Sequence, residues 1–287
     1  MKYLVTGASG QLGSEWLRYF RENQIPFTGY NSAQFDITDK YSAEQIIDED
    51  KPDVVINCAA YTKVDQAESE PDKAFLVNET GVKNLAEACS KRGINLIHYS
   101  TDYVFSGAKK DRERYPDGYP EDAPSDPINI YGKSKRAGEI VLENSSANWL
   151  LIRVSWLCGA SGSNFVKTML MLSEARDRID VVSDQTGSPS FTFDVVEKTI
   201  QLMQKELTGI FHVSSRGEIS WADFAREIFE LSGKTTDVQN ISSSEFPVAA
   251  KRPSFSLLSN QKIISAGLKP ADRREALKRL LQQIKLS

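Results

Sequence analysis

Apolar and polar positions along the first 156 residues alternate between two rhythms. Lys2–Thr6 is a short apolar run of strand type, and Gln11–Gln24 then places Leu12, Trp16, Leu17 and Phe20 at helical spacing before a second run at Phe27–Asn31. Ser42–Lys51 reads as a helix that Pro52-Asp53 ends. Val54-Val55-Ile56 follows as a continuous apolar run of the kind found in parallel strands covered on both faces. A long helix over Pro71–Arg92, punctuated by Gly93, leads into a fourth strand at Asn95–Ser100. After the polar, Pro-rich stretch Lys109–Pro127, a helix over Asn129–Ser145 and a strand at Leu150–Trp156 complete the series. Strands alternating with helices predict an α/β architecture, a Rossmann-like doubly wound parallel sheet that binds ligands at the carboxyl ends of its strands.

Beyond Trp156 the rhythm weakens. Phe165–Arg176, Asp194–Leu207, Trp221–Ser232 and Ala271–Ile284 read as helices, with short strands at Ile179–Val182 and Ile210–Ser214. The pattern predicts a dinucleotide-binding domain over residues 1–156 plus about 190–209, and a smaller C-terminal α/β substrate lobe built from 157–189 and 210–287.

The chemistry concentrates where predicted strands end. Thr6-Gly7-Ala8-Ser9-Gly10-Gln11-Leu12-Gly13 joins the first strand to the first helix with GxxGxxG spacing. Small residues there allow a tight turn and close approach of a pyrophosphate, which the helix N–H groups then face, so Gly7, Gly10, Gln11, Leu12 and Gly13 are candidate cofactor contacts. Tyr131 and Lys135 stand at i and i+4, one turn apart on a helix face, where an ammonium beside a phenol would lower the tyrosine pKa toward the working range of a general acid or base. Upstream, Ser100-Thr101-Asp102-Tyr103 lies where the fourth strand ends, so the Thr101 hydroxyl would face the same crevice. The second strand ends Gly29-Tyr30-Asn31-Ser32 without the carboxylate that NAD-preferring sites use to hold the adenosine ribose. Asn31 and Ser32 can donate hydrogen bonds to a 2′-phosphate, but no arginine stands beside them, so NADPH is the expected cofactor with NADH also used.

Composition narrows the partners. With 287 residues, 40% hydrophobic and 26% charged, the chain is an ordinary globular one, and its formal charge of −4 without a Lys/Arg-dense tract speaks against nucleic acid or an anionic membrane. No apolar run is long enough to span a bilayer and the opening Met1–Gly7 breaks too soon for a signal peptide, so a cytoplasmic protein is expected. Three cysteines (Cys58, Cys89, Cys158) without a CxxC pair predict buried thiols, with no zinc site and no disulfide. His98 and His212 sit in apolar strand runs and read as core histidines.

These features together resemble the extended short-chain dehydrogenase/reductase superfamily. Asn57-Cys58-Ala59-Ala60-Tyr61-Thr62 after the third strand belongs to the same pattern as the glycine turn and the Thr–Tyr–Lys set. Within that superfamily, His98–Phe105, Val64–Glu68, Ser155-Trp156, Asn164–Met169 and Asp184–Gly187 resemble the dTDP-4-dehydrorhamnose reductases, with phrases spread from Gly7 to about Pro253. The resemblance implies NADPH-dependent reduction of the C4 carbonyl of a 4-keto sugar nucleotide in cell-surface polysaccharide biosynthesis. It assigns Tyr131 as proton donor, Thr101 as a hydrogen-bond partner of the reacting oxygen, and Lys135 to the nicotinamide ribose. Asp36 and Ile37 would lie beside the adenine, Ala59, Ala60, Tyr61, Thr62 and Tyr99 would line the cofactor, and Asp102, Trp156 and Arg252 would meet the sugar nucleotide.

Some relatives form dimers bridged by a divalent metal through acidic side chains. Here Glu15 is available, but Ser188–Asp194 offers only Asp194, and Gln282–Ser287 has no carboxylate side chain, so no metal and a monomer or a weak, metal-independent oligomer are expected. Two alternatives stay open: a reductase of another 4-keto-6-deoxy sugar nucleotide, and a non-catalytic dinucleotide-binding regulatory subunit.

Overall fold

The computed structural model describes residues 1–286; the last residue of the predicted substrate lobe, Ser287, lies outside them. Its first half runs β1 (Tyr3–Thr6), α1 (Gln11–Glu22), β2 (Phe27–Tyr30), α2 (Lys40–Asp50), β3 (Val54–Asn57), α3 (Val64–Ala67), α4 (Pro71–Phe75), a π-helical turn at Leu76–Thr80, α5 (Gly81–Ser90) and β4 (Asn95–Thr101). Then come α6 (Asp111–Arg114), α7 (Ile130–Glu143), β5 (Asn148–Val154), β6 (Leu157–Cys158), α8 (Phe165–Ser173), β7 (Arg178–Val182), β8 (Thr186–Gly187), β9 (Ser190–Phe191) and α9 (Thr192–Gln204). The chain ends with β10 (Gly209–His212), β11 (Ile219–Ser220), α10 (Trp221–Ser232), β12 (Asp237–Ile241), α11 (Gln261–Ser265) and α12 (Arg273–Leu286).

Six strands form one parallel sheet in the order β10-β5-β4-β3-β1-β2. Successive residues of these strands feed opposite faces, and both faces are buried. Val5, Ile56, Ile97 and Ile152 pack with Trp16 and Phe20 of α1 and with Val195 and Leu202 of α9, while Leu4, Val55, Leu96 and Leu151 pack against α2, α5 and Leu142 of α7. This explains the unbroken apolar runs in the sequence, since no strand has a wet side. The order reverses direction beside β1, and the crevice at that switch point receives the glycine turn, the loop after β3 and the end of β4.

One expectation changes here. The sheet's sixth strand is Gly209–His212, paired along its length with β5, so the sheet domain reaches past the predicted limit at about residue 209. Ile263 and Leu268, from the C-terminal segment, also pack against this sheet. The predicted long helix forms as one continuous helical run from Pro71 to Ser90 that carries a π-helical turn at Leu76–Thr80, where buried Asn78 is turned inward: its Oδ1 accepts from Tyr61 N–H (2.9 Å), and its Nδ2 donates to Tyr61 O (3.0 Å) and Ser134 Oγ (2.9 Å). The extra residue in the turn directs that amide at both the β3 loop and α7.

A second core joins α8, β7, α10 and α12 through Val166, Ile179, Phe224, Ile228, Leu277 and Leu280. Among the described residues no helix is long and apolar enough to cross a membrane.

Candidate active site

The glycine turn is built for close approach. Gly7 has φ +62°, and a Cβ there would stand 2.7 Å from the backbone of Cys58 and Ala59; a Cβ on Gly13 would stand 2.2 Å from Gly7 O. Side chains are excluded, so backbone lines this corner, and among the described residues none caps the α1 N-terminus. A helix end with open N–H groups and a wall of bare backbone fits the pyrophosphate of a dinucleotide. Leu12 is core, whereas Gln11 turns to the other lobe: its Oε1 accepts from Gly159 N–H (3.1 Å) and Asn164 Nδ2 (2.9 Å). Gln11 thus ties the turn to the 159–164 loop.

At the adenosine end, Asn31 Oδ1 is spent on its own turn, accepting from Ala33 N–H (3.0 Å) and Gln34 N–H (3.2 Å), so its NH₂ is what remains for a ligand. Asp36 accepts from Thr38 N–H (2.9 Å) and Oγ1 (2.7 Å), and Ile37 is buried between α2 and α5. Both shape the loop through its backbone.

The candidate reacting centre sits where β4 meets α7. Asn129 Oδ1 caps α7 by accepting from Gly132 N–H (2.8 Å), and Gly132 lets the helix press onto the carbonyl of Tyr103, which a Cβ would approach to 2.2 Å. The Tyr131 hydroxyl is hydrogen-bonded to Thr101, and its ring meets Tyr103 edge-on with centroids 5.5 Å apart. Thr101 Oγ1 donates to Asp102 Oδ1 (2.9 Å) and accepts from Tyr103 N–H (3.2 Å). Thr101, Asp102 and Tyr131 therefore form one connected polar group.

Lys135 departs from expectation. Buried at 2% exposure, its Nζ donates to Tyr99 O (2.6 Å) and lies 3.4 Å from His98 Nε2, so it turns against β4 instead of toward Tyr131. Burial lowers the ammonium to about 8, against the pull of Glu139. Tyr131 accordingly shows no lowered pKa: burial pushes the phenol well above its ordinary range, helped by Asp102 and Tyr103 and opposed by the Thr101 hydroxyl. Tyr99 also differs from its predicted role. Its side chain crosses to the other face of the sheet, where the hydroxyl accepts from Trp16 Nε1 (2.9 Å) and bonds Thr199 Oγ1 (3.1 Å), so only its carbonyl reaches the site.

The loop after β3 brings Ala59, Ala60, Tyr61 and Thr62 to the crevice rim. Tyr61 is anchored by Asn78, and its hydroxyl donates to Glu70 Oε2 (2.9 Å). Arg252 is brought into the site: Nη2 donates to Asp65 Oδ2 (2.6 Å), the guanidinium lies against Tyr103, and Nη1 is buried without a partner among the described residues. Trp156 stands at φ +47°, a strained conformation for a bulky residue, and stacks on Trp221 with ring centroids 3.5 Å apart while Nε1 donates to Ser256 Oγ (3.2 Å). It fastens the two lobes at the site's edge.

Asp102 is 3% exposed, and burial lifts its carboxyl to about 7 against the opposing hydrogen bonds of Thr101 and Ser256. A carboxyl whose folded pKa is raised contributes most to stability below its unfolded value, and that contribution is lost as pH rises through about 7. Asp102→Asn should therefore match the parent near pH 4 and exceed it at pH 8 by about 2–4 kcal/mol. Urea unfolding at the two pH values checks this, and equal differences at both would refute it.

Sequence reading took His98 for a core histidine, named Asn57 only as the start of the phrase after β3, and did not single out Asn78 or Ser256. For His98 a signal existed: it lies two residues from Ser100 on the same strand face, the one that α7 covers.

Comparison with known proteins gives a consistent picture. The family described as RmlD substrate binding domain matches residues 1–286. The chain is 42% identical over 282 residues to the spore coat polysaccharide biosynthesis protein SpsK of Bacillus subtilis, covering 98% of this chain and 97% of that protein. It is 39% identical over 293 residues to dTDP-4-dehydrorhamnose reductase of Aggregatibacter actinomycetemcomitans, covering 97% and 98% respectively. Among solved structures, dTDP-4-dehydrorhamnose reductase of Bacillus anthracis in complex with NADP superposes with TM-score 0.93 at 38% identity, covering 98% of this chain and 99% of that one.

Proposed function

The chain belongs to the RmlD family of dTDP-4-dehydrorhamnose reductases, and we propose from that premise how its residues carry out the reaction. The protein is an NADPH-dependent oxidoreductase that reduces the C4 carbonyl of dTDP-4-dehydro-L-rhamnose to give dTDP-L-rhamnose, within nucleotide-sugar supply for polysaccharide biosynthesis. The observation that carries the mechanism is the connected Asp102–Thr101–Tyr131 group at the end of β4.

NADPH, when bound, supplies the hydride. Tyr131, kept protonated by burial, gives its proton to the developing C4 oxygen. Thr101, whose own proton is committed to Asp102, holds the Tyr131 hydroxyl in line and leaves the tyrosine as the group that donates. Asp102, retaining a proton near neutral pH, supplies a donor to a sugar hydroxyl. The unpaired Arg252 Nη1 is the cation for the substrate diphosphate. Lys135 holds the nicotinamide ribose, Gly7–Gly13 receive the pyrophosphate, and the lobe of α8, α10 and α12 closes the sugar side. Following NADPH absorbance with purified dTDP-4-dehydro-L-rhamnose tests the whole reading. Turnover with that substrate and none with the epimeric 4-keto sugar nucleotide is the expected result.

The strand end at Gly29–Ser32 sets cofactor choice. With no carboxylate to repel a 2′-phosphate and no arginine to pair with it, kcat/KM should favour NADPH modestly, with measurable turnover on NADH. A clear NADH advantage would show that an acid distant in sequence reaches the ribose.

A further inference from the structure

A buried polar chain crosses three strands beneath the site. Thr6 of β1, Asn57 of β3, His98 of β4 and Lys135 of α7 are each at most 2% exposed, and they touch in that order. Donor and acceptor accounting along this chain starts from the one group that can only donate, the Ala59 N–H. Asn57 Oδ1 accepts from Thr6 Oγ1 (2.6 Å) and from Ala59 N–H (3.2 Å). A backbone N–H can only donate, so turning the Asn57 amide over would set its NH₂ against the Ala59 N–H and leave that N–H only its longer bond to Thr6 Oγ1 (3.3 Å). Its NH₂ must then face His98 Nδ1, at 3.0 Å, and that nitrogen must be the acceptor.

Burial and the Lys135 charge keep His98 neutral, well below its ordinary pKa. A neutral imidazole with its lone pair on Nδ1 carries its proton on Nε2, the nitrogen 3.4 Å from Lys135 Nζ. Lys135 thus faces an N–H where a lone pair would have bound it. Its acceptor is the Tyr99 carbonyl. Other titratable neighbours do not take that place: Cys58, after β3, is held as a thiol by burial, and on α7 itself the Glu139 carboxylate is occupied by Arg153 and Arg136.

We propose that His98 is a positioning residue for Lys135, its tautomer fixed by Asn57 so that an N–H rather than a lone pair meets the lysine and leaves the ammonium's remaining N–H bonds for the cofactor ribose. The inference rests on the reading of Lys135 as the ribose-holding residue. An imidazole in the other tautomer would bind the ammonium into the sheet and compete with the cofactor for it. The Thr6–Asn57 bond also couples the lysine to the strand that carries the glycine turn, so both ends of the dinucleotide site share one polar chain.

The experiment begins with long-range ¹H–¹⁵N spectra of the histidine-labelled protein, without cofactor. The chain has two histidines, so His98→Gln assigns the signals. The Nε2–H tautomer is expected from pH 6 to 9, and an Nδ1–H tautomer overturns the proposal. In Asn57→Asp the new carboxylate can only accept, so the proton should move to Nδ1 and the lone pair turn to Lys135. NADPH affinity, read by fluorescence, should then fall about ten-fold or more, the equivalent of one hydrogen bond to a charged group. The pH at which binding weakens should also rise. A variant that shows the switched tautomer with unchanged NADPH affinity and unchanged pH dependence overturns the role. The wild-type spectrum decides the tautomer even if the variant does not fold. A wild-type protein that binds no NADPH would fault the cofactor reading instead.

Discussion

Tyr131→Phe should lose turnover by about 10²–10⁴-fold while its affinity for NADPH stays within a few-fold of the parent. The substitution removes one oxygen and leaves the ring, whose edge-on contact with Tyr103 holds the side chain in place, so packing is preserved and the missing group is the proton donor. Burial raises the phenol well above its ordinary pKa, which suits an acid that must be loaded before each turnover. The parent's kcat should therefore not fall between pH 7 and 9 through loss of the tyrosine proton; weakening in that range should appear in sugar-nucleotide KM, as Asp102 gives up its proton near 7, and in cofactor affinity, where the lowered Lys135 ammonium acts. Steady-state kinetics across that range, with cofactor binding measured separately, checks both halves. A Phe variant with near-parental kcat would remove Tyr131 from the role of acid.

The sheet was legible because the strand runs were apolar on both faces and the intervening helices carried clear 3.6-residue periods. Asp237–Ile241 escaped because it is an exposed strand with little apolar signal, made regular by pairing with Arg178–Val182. The π-helical turn at Leu76–Thr80 escaped because it keeps helical composition inside a continuous helix; only the destination of Asn78, 56 positions from Ser134, reveals its purpose. In the site, spacing correctly brought Tyr131 and Lys135 onto one helix, yet it could not say which way the lysine turns. That direction is set by the Tyr99 carbonyl and His98, on a strand whose facing residues are fixed only once the sheet order is known. Tyr99 shows the converse: in its phrase it stands beside Ser100 and Thr101, but the two-residue period of β4 sends its phenol to Trp16 on the far face.

The same helix carries a third member of the i, i+4 series, and its loss should have the largest effect on stability. Glu139, one turn beyond Lys135 and fully buried, accepts two bonds from Arg153 of β5, Nε to Oε1 and Nη2 to Oε2, both 2.8 Å. Arg153, 2% exposed, spends Nη1 on Glu121 O (3.0 Å) and lies over the Phe105 ring at 5.0 Å. Fork and carboxylate thus satisfy each other where no water replaces either, and they lock α7 to β5 at the register that sets Tyr131 against Thr101. Arg153→Met should cost about 3–5 kcal/mol, since it leaves a buried carboxylate with only the longer Arg136 Nη1 contact (3.1 Å). Adding Glu139→Leu should return most of that loss, because an apolar pair of similar size pays no desolvation penalty. Turnover, however, should not return with the stability: without the bidentate clamp the helix is held by packing alone, and the Tyr131–Thr101 alignment is no longer fixed to hydrogen-bond precision. Denaturant unfolding and kcat measured on the single and double variants separate the two effects, and a double variant that recovers both would show that the ion pair contributes stability without positioning the catalytic helix.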